Sequence, residues 1–423
     1  MTTTKVPTLI VGGGICGLAT ALSLARAGRP VHLLERAEEF TEIGAGLQFG
    51  PNASRALDAL GVLEDVLPLA VRPTRAVMMD AYAGEPLTTL ELGEKFHRRF
   101  GYPYLVLHRS DLLDLLLAHC RAHALITLEN RRTVVDAQVR SNGATVVCAD
   151  GSRYETPVLI AADGLHSTLR RHVVDDTATC SGYAAYRGTL PMEKVSHAIA
   201  PDDVVLWVGP GVHLMQYPVR RGELYNQVAV FQSRRFLSGH TGAGEWGGPE
   251  ELDAAFAGAC GPVLDAVARI GRDRFWAMFD RRPVDTWING RLVLIGDAAH
   301  PMLQYLGQGA CQALEDAVEI GYRLQRHDSD VDAAYRAFEA ARLPRTARCQ
   351  TSARPWGDLW HTADPLLIAV RNRLFAARAS DDYRDVEWLY APAEPGTAAP
   401  GLTASTAAVQ PERFVPRRST CAI

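Results

Sequence analysis

The chain has 423 residues, of which 47% are hydrophobic, and carries a formal net charge of −4. This length and composition predict two interlocked domains with a sizeable buried core. The slightly acidic balance provides no basic surface, which argues against nucleic acid or an anionic membrane as the main partner.

Cysteine usage and the first residues predict a cytoplasmic protein. The eight cysteines are scattered and none forms C-x-x-C, so neither a disulfide framework nor a metal site is predicted. Residues 1–5 lack the features of a secretory signal. No uninterrupted apolar stretch approaches the roughly 20 residues that a membrane helix needs.

The first 36 residues are typical of a strand–helix–strand unit. An apolar strand over 8–11 leads into a glycine-rich turn, and apolar residues over 18–25 then repeat at helical spacing. Gly28 ends this helix, and a second strand over 31–34 leads to Glu35.

Further along the chain, a helix is predicted from Ser110 to Ala124, with Ser110 as its N-cap. A short buried strand is predicted over 291–295 and a helix over 309–327. Residues 333–390 have an amphipathic helical pattern.

The sequence pattern between 181 and 285 is typical of a β-sheet, because short alternating or β-branched segments are separated by Gly and Pro. The predicted strands include 204–208, 212–217 and 224–231.

The sequence therefore predicts an α/β protein, in which a Rossmann-like domain is split by an inserted, mostly antiparallel β-sheet domain and followed by C-terminal helices. The predicted boundaries are 1–75, 100–180 and 286–345 for the Rossmann-like domain, 76–99 and 181–285 for the sheet domain, and 346–392 for the helical region. Residues 393–423 are rich in Ala, Pro and Thr and are predicted to form a disordered tail.

A glycine motif lies at the first strand–helix turn. Gly12, Gly14 and Gly17 satisfy G-x-G-x-x-G, which allows a tight turn, a close approach to a pyrophosphate and close helix packing. Glu35 lies eighteen residues past Gly17, where an acid can bind a ribose diol. An ordinary glycine-rich turn is the alternative, but the flanking strand, helix and acid favour dinucleotide binding.

Two later motifs also follow apolar strands. Asp163 and its following glycine come after the apolar run 158–160, although this pattern alone favours an ordinary strand followed by an Asp-Gly turn. Asp297 comes at the carboxyl end of a buried strand, where ligands bind in open α/β sheets. Gly307 and Gly309 then open a helix whose N-terminus favours negative charge.

In their order and spacing the three motifs resemble those of the group A flavoprotein monooxygenases, the aromatic hydroxylases with the p-hydroxybenzoate hydroxylase fold. The resemblance covers about residues 6–390. It implies FAD as cofactor, with NADH as electron donor or NADPH in its place. It also implies that a flavin hydroperoxide formed with O₂ hydroxylates a small aromatic substrate. A homodimer is a family expectation that nothing in the composition requires.

The resemblance assigns cofactor-binding roles residue by residue. The residues implied to hold the ADP half of FAD are Gly12, Gly14, Gly17, Glu35 and Arg36. Those implied near the ribityl chain and the isoalloxazine are Gln48, Arg109, Asp163, Asp297, Gly307 and Gly309. For Arg109, a surface salt bridge is the alternative.

His213, Met215 and Tyr217 share one face of a predicted strand. His213 and Tyr217 are then about 13 Å apart, bracketing the methionine. Such a face can form the floor of an aromatic pocket, but periodicity alone favours ordinary core packing.

Within the family, the residues of this pocket resemble those of the 3-hydroxybenzoate 6-hydroxylases. Most relatives have a proline four residues after the histidine that follows the Gly-Asp pair, whereas this chain has Gln304. The resemblance implies a catalytic pocket formed by His213, Gln304, Tyr217 and Tyr104. The segment 307–309 departs from this subgroup and keeps the general family form.

The expected chemistry is hydroxylation of a phenolic acid. A phenolate is a better nucleophile than a phenol, and a phenol with a pKa near ~10 needs a base to ionise at neutral pH. His213 is suited to take that proton, and Gln304 to bind the phenol oxygen. A phenolate directs attack ortho or para, so 3-hydroxybenzoate would give gentisate (2,5-dihydroxybenzoate).

Other functions remain open at this point. Within the family these are salicylate- and hydroxynicotinate-type hydroxylases and tailoring hydroxylases of larger phenols. Outside it they are a flavin oxidase, a quinone reductase or a binding protein on the same fold. A flavin halogenase is disfavoured because W-x-W-x-I-P is absent. Arg187 either meets a substrate carboxylate or pairs on the sheet.

Overall fold

The computed structural model describes residues 3–41, 45–195, 202–242 and 244–392. Over these ranges the strands are β1 (Thr3–Lys5), β2 (Leu9–Val11), β3 (Val31–Leu34), β4 (Gly46–Phe49), β5 (Arg75–Asp80), β6 (Pro86–Glu91), β7 (Leu105–His108), β8 (Ile126–Glu129), β9 (Val134–Val139), β10 (Ala144–Cys148), β11 (Arg153–Thr156), β12 (Leu159–Ala161), β13 (Thr179–Pro191), β14 (Asp203–Gly209), β15 (Val212–Val219), β16 (Leu224–Gln232), β17 (Trp276–Asp280), β18 (Ile288–Asn289) and β19 (Leu292–Leu294).

The α-helices in the same ranges are α1 (Ile15–Arg26), α2 (Pro51–Ala59), α3 (Leu63–Val66), α4 (Glu94–Phe100), α5 (Arg109–Ala122), α6 (Arg234–Leu237), α7 (Pro249–Phe256), α8 (Gly261–Ala268), α9 (Gly309–His327), α10 (Val331–His361), α11 (Pro365–Ala376) and α12 (Glu387–Tyr390).

A six-stranded sheet forms the centre of the Rossmann-like part, in the order β18-β19-β12-β2-β3-β8. All of its pairings are parallel except that of β18 with β19. Strand β2 is buried throughout, as expected of a parallel strand covered on both faces. Residues of this sheet share one apolar core with α1, α5, α9 and the separate sheet β1-β11-β10-β9.

A seven-stranded sheet, in the order β17-β13-β16-β15-β14-β5-β6, forms the second layered unit. Its pairings are antiparallel except that of β14 with β5. The predicted α/β class with an inserted, mostly antiparallel sheet is therefore confirmed. The domain boundaries given from the sequence stay a prediction.

The sheet domain also contains helices that the sequence analysis did not predict. In α7 and α8, Phe256 and Val263 are fully buried and pack in one apolar cluster with Trp207 and Phe231 of the sheet. These helices cover the sheet face opposite to the one that carries Met215, because Trp207 pairs with Leu214, the residue before it.

The predicted start of the helix over 110–124 was wrong. Helix α5 begins at Arg109, and its N-cap is His108, whose backbone is extended and whose ring Nδ1 accepts from the peptide nitrogen of Ser110 at 3.4 Å. An imidazole nitrogen therefore fills the role expected of the Ser110 hydroxyl. The helix ends at Ala122, two residues before the predicted end.

The region predicted to be helical over 333–390 is divided into α10, α11 and α12. Helix α10 runs for 31 residues and contains Pro344 and Pro355. The tail predicted to be disordered lies outside the described residues. Across the described ranges, no helix combines the length and apolarity needed to cross a membrane.

Candidate active site

The three sequence motifs meet at one edge of the parallel sheet. Val11, Ala161 and Leu294 are in register across β2, β12 and β19. Because these strands are parallel, the residues that follow them, including Asp163 and Asp297, emerge on the same side. One cavity of about 560 Å³ lies along this edge and is lined by residues of all three motifs.

The glycines of the first motif shape one wall of this cavity. Gly12 has φ +110°, and a β-carbon there would overlap the carbonyl oxygen of Ala162. Gly14 lines the cavity as the N-cap of α1. Gly17 does not line it, but a β-carbon at Gly17 would overlap the Gly12 carbonyl. The loop is thus a backbone cradle at a helix N-terminus, which suits a pyrophosphate.

Glu35 lies at the same wall and is held by the backbone. Its two carboxylate oxygens accept hydrogen bonds from the peptide nitrogens of Gly13 and Ala37, both at 2.7 Å. Arg36 also lines the cavity. The carboxylate is therefore oriented before any ligand binds, and each oxygen can accept a further hydrogen bond from a ribose hydroxyl.

Asp163 carries the clearest sign of a missing partner. Its Oδ2 accepts from the peptide nitrogen of Thr168 at 2.8 Å, whereas its Oδ1 is buried and has no hydrogen-bonding partner within the described part of the chain. Burial raises the pKa of this carboxyl. Because an unsatisfied buried acceptor is costly, Oδ1 fits a ligand that donates a hydrogen bond there.

Asp297, Gly307 and Gly309 also line the cavity. Gly309 is the first residue of α9, and Gly307 has φ +62° in the turn before that helix. The N-terminus of a 19-residue helix is thereby directed at the cavity, where its dipole favours negative charge.

A buried ion network that sequence reasoning missed holds the loop around Asp297. Asp316 accepts from the peptide nitrogen of Gly296 at 2.9 Å, from His300 Nε2 at 2.6 Å and from Arg342 Nε at 2.7 Å. Arg170 donates to the carbonyl oxygens of residues 298 and 299, both at 2.7 Å. Side chains from α9, from α10 and from the segment of the second motif thus hold the third motif in place.

The predicted pocket face on β15 is confirmed as one surface. His213, Met215 and Tyr217 all line the cavity. Met215 pairs with Val228 of β16, which pairs with Arg187 of β13, so the three lie in one row across the sheet. Arg187 therefore stands opposite the midpoint between His213 and Tyr217.

Gln48 contacts Tyr104 and lines the cavity together with Tyr217. Its Oε1 accepts a hydrogen bond from the Tyr104 hydroxyl at 2.8 Å. Burial raises the pKa of both tyrosines, so both stay protonated at neutral pH. Tyr104 does not itself line the cavity, and its hydroxyl contacts the lining residue Gln48.

Gln304 contacts both Arg187 and His213 in the wall of the cavity. Its Oε1 accepts from Arg187 Nη2 at 3.0 Å, and its Nε2 lies 3.4 Å from His213 Nε2. Burial, and then the neighbouring His361, lower the pKa of His213 well below its ordinary value. His213 is therefore neutral at neutral pH and able to accept a proton.

Two arginines place positive charge in the cavity. Arg109 and Arg187 both line it. Burial, and then Arg109, lower the pKa of Arg187. Arg187 has no carboxylate within ion-pair distance among the described residues, and its buried Nε lacks a hydrogen-bonding partner there. Such a site favours an anionic ligand.

Comparison with known proteins identifies the family. A family model described as FAD binding domain matches residues 5–350. Over 392 residues the chain is 41% identical to the 3-hydroxybenzoate 6-hydroxylase of Klebsiella oxytoca, covering 90% of this chain and 96% of that protein. The chain belongs to the FAD-dependent aromatic hydroxylases.

Two further relatives agree with this assignment. The 3-hydroxybenzoate 6-hydroxylase of Polaromonas naphthalenivorans is 38% identical, with 91% of this chain and 96% of that protein covered. The solved structure of Klebsiella pneumoniae HpxO with FAD and uric acid has a TM-score of 0.80 and 26% identity, covering 92% of this chain and 97% of that one.

The expected family, fold class, cofactor and enzyme class are thereby confirmed: the protein is a flavoprotein monooxygenase that binds FAD. Its residues fit that cofactor, since the cavity offers both a glycine cradle and the partnerless Asp163 Oδ1. The roles of individual site residues remain predictions.

Proposed function

We propose that the protein hydroxylates 3-hydroxybenzoate para to its hydroxyl group and releases gentisate, using NADH and O₂. The observation that carries this proposal is the side chain of Gln304, which joins His213 to Arg187 at the inner end of the cofactor cavity. The proposed base His213 and the cation Arg187 are thus bridged by a single side chain. A phenolic acid needs both, a base for its hydroxyl group and a cation for its negative charge. The relatives named for 3-hydroxybenzoate, at 41% and 38% identity, support the same substrate.

The positive charge selects the substrate class. Arg187 faces the cavity without a carboxylate of the described chain beside it. An aromatic acid supplies one negative charge as its carboxylate and a second when its phenol ionises. Met215 and Val228, which lie beside each other on the sheet in the same row as Arg187, provide an apolar floor for the ring.

Magnitudes show why the cation is needed for ionisation. Moving a proton from a phenol of pKa near 10 to an imidazole of pKa near 6.5 costs about 5 kcal/mol. The lowered pKa of His213 increases this cost. A cation about 4 Å from the phenolate oxygen offsets about 4 kcal/mol at an effective dielectric constant near 20. A cation such as Arg187 at that distance would therefore offset most of the roughly 5 kcal/mol, which His213 alone would have to meet in full.

When bound, FAD accepts electrons from NADH and supplies the activated oxygen atom. The chain's own residues bind and orient the ring, and His213 Nε2 takes the phenolic proton while Gln304 Nε2 donates to the phenol oxygen. The resulting phenolate is most nucleophilic ortho and para to its oxygen. Attack at the para carbon gives gentisate from 3-hydroxybenzoate.

The test is a substrate panel on the FAD-bound protein. NADH and O₂ consumption are followed with 3-hydroxybenzoate, salicylate, 4-hydroxybenzoate and 6-hydroxynicotinate, and products are identified by chromatography and mass. We expect gentisate from 3-hydroxybenzoate in step with NADH. Coupled turnover of another compound would identify that compound as the substrate in place of 3-hydroxybenzoate. Hydrogen peroxide as the only product with all four compounds would contradict the proposed function.

Three further predictions concern the electron donor, the oligomeric state and the location of the protein. NADH is expected over NADPH, which a direct comparison of the two donors tests. A homodimer is expected from the family. A cytoplasmic location is expected from the scattered cysteines, seven of which are free in the described part of the chain.

A further inference from the structure

A second histidine is in direct contact with the proposed base. His361, the last residue of α10, has its Nε2 2.8 Å from His213 Nδ1, and the two rings stack with centroids 5.0 Å apart. His361 also stacks on Tyr183, with ring centroids 4.7 Å apart. Its carbonyl oxygen accepts from the peptide nitrogen of Gly211, in the turn before β15. His361 is therefore fixed by both stacking and a backbone contact.

The direction of every hydrogen bond near His213 follows from Arg187. A guanidinium only donates, so the group of Gln304 that faces Arg187 must be its oxygen. The amide nitrogen of Gln304 then faces His213, and because this nitrogen only donates, His213 Nε2 must present a lone pair. The tautomer of His213 follows from chemistry rather than from placed hydrogens.

The same reasoning continues to His361. A neutral imidazole with a lone pair on Nε2 carries its hydrogen on Nδ1, so His213 Nδ1 donates to His361 Nε2. Burial lowers the pKa of both rings, and for His361 burial and then Arg371 lower it to about 3. Both rings are neutral at neutral pH, so one must donate and the other accept.

We infer that His361 is a positioning residue that holds His213 as the Nδ1–H tautomer, with the Nε2 lone pair directed at the substrate hydroxyl. This inference rests on the proposed function only in naming a phenol as the proton donor. In the step, the phenol O–H bond breaks and an N–H bond forms at His213 Nε2. The His361 Nε2 lone pair then stabilises the new imidazolium through a charge-assisted hydrogen bond.

Three variants separate this role from packing. His361→Phe keeps an aromatic ring but removes the acceptor, whereas His361→Gln can offer its Oε1 close to the position of the imidazole Nε2. His213→Asn identifies the signals of His213. FAD content and thermal midpoint are measured for each variant, so that a folding defect is recognised.

The experiment is ¹⁵N NMR of histidine side chains in the FAD-bound protein at neutral pH, without substrate. We expect wild type and His361→Gln to show His213 with Nδ1 protonated and Nε2 bare, and His361→Phe to show a mixture of tautomers. In turnover, His361→Phe should lose at least about 10-fold in product per NADH, and His361→Gln should recover most of it.

An Nε2–H tautomer in wild type, or an unchanged tautomer in a folded His361→Phe protein, would overturn the inference. If the Phe variant does not fold, the wild-type spectrum still tests the tautomer, because an Nε2–H form there contradicts the inference by itself. Because the tautomer is read without substrate, it can hold while 3-hydroxybenzoate is not turned over, in which case only the proposed function fails.

Discussion

Arg187 Nη2 donates a hydrogen bond to Gln304 Oε1 at 3.0 Å, across 117 residues of sequence. The contact joins the inserted sheet to the loop before α9, so the sheet face that lines the cavity and the N-terminus of α9 are set relative to each other. The guanidinium also lies over the Trp276 ring, with 5.6 Å to its centroid.

Replacing Arg187 should weaken binding of an anionic substrate. We expect Arg187→Met to raise KM for 3-hydroxybenzoate by about 10- to 100-fold, because a hydrogen bond to a charged group contributes about 1.5–3 kcal/mol. Arg274→Met is the matched control, since Arg274 lies over the same Trp276 ring at 5.2 Å but does not line the cavity. Equal effects of the two variants would refute the role of Arg187. Steady-state kinetics provides the measurement.

Replacing His213 should affect hydroxylation and not reduction of the flavin. We expect His213→Asn to lower product formation by about 10²- to 10⁴-fold, the usual loss for a general base, and to change flavin reduction by less than about 3-fold. Stopped-flow reduction and product analysis measure the two steps. The exposed His240 provides the control substitution His240→Asn. Equal losses in both steps would exclude His213 as the base.

The partnerless oxygen of Asp163 predicts a specific effect on FAD binding. Asp163→Asn retains an acceptor for the Thr168 peptide nitrogen but places an NH₂ group where Oδ1 lies. We expect FAD to bind about 10-fold more weakly or worse, with little change in the melting temperature of the apoprotein. Fluorescence titration of the apoprotein with FAD measures this. The control is Asp265→Asn, on a partly exposed side chain that does not line the cavity. Unaltered FAD affinity in the Asp163 variant would contradict the assignment.

Glu315 predicts a pH dependence of stability. Burial raises the pKa of Glu315, but Arg342 and Arg345 lower it more, to about 2. Because this folded-state pKa lies below the unfolded one, the stabilisation is present above about pH 4.5 and is lost as the pH falls toward about 2.

Glu315→Gln should therefore destabilise the protein at pH 7, and its difference from wild type should shrink between pH 5 and pH 2. Urea unfolding of the FAD-bound protein at several pH values measures this. Glu250→Gln, on an exposed side chain, should leave the profile unchanged. A difference that stays constant with pH would show that the ion pairs of Glu315 with Arg342 and Arg345 are not the cause.

The sequence predicted those parts of the fold that depend on patterns of residues close together in the chain. The glycine motif, Asp163 and Asp297 each follow an apolar strand directly, and parallel pairing brings such strand ends together. The alternation of His213, Met215 and Tyr217 was sufficient to place them on one face. Helix α9 was predicted with the bounds that the structure shows, because its glycine start and its apolar period agree.

The parts that were missed depend on contacts distant in sequence. His361 lies 148 residues from His213, and no local pattern indicates their hydrogen bond. Helices α7 and α8 have only eight residues each, which is too short for a clear period against the surrounding strands. The cap of α5 was assigned to Ser110 by residue preference, whereas the His108 ring was already in place to fill it.

The most direct test of the central claim is turnover of 3-hydroxybenzoate under ¹⁸O₂ with NADH. The account predicts one gentisate per NADH, with one ¹⁸O atom in the new hydroxyl group at the position para to the original one. Hydrogen peroxide as the only oxygen product, or a product hydroxylated at another carbon, would contradict it.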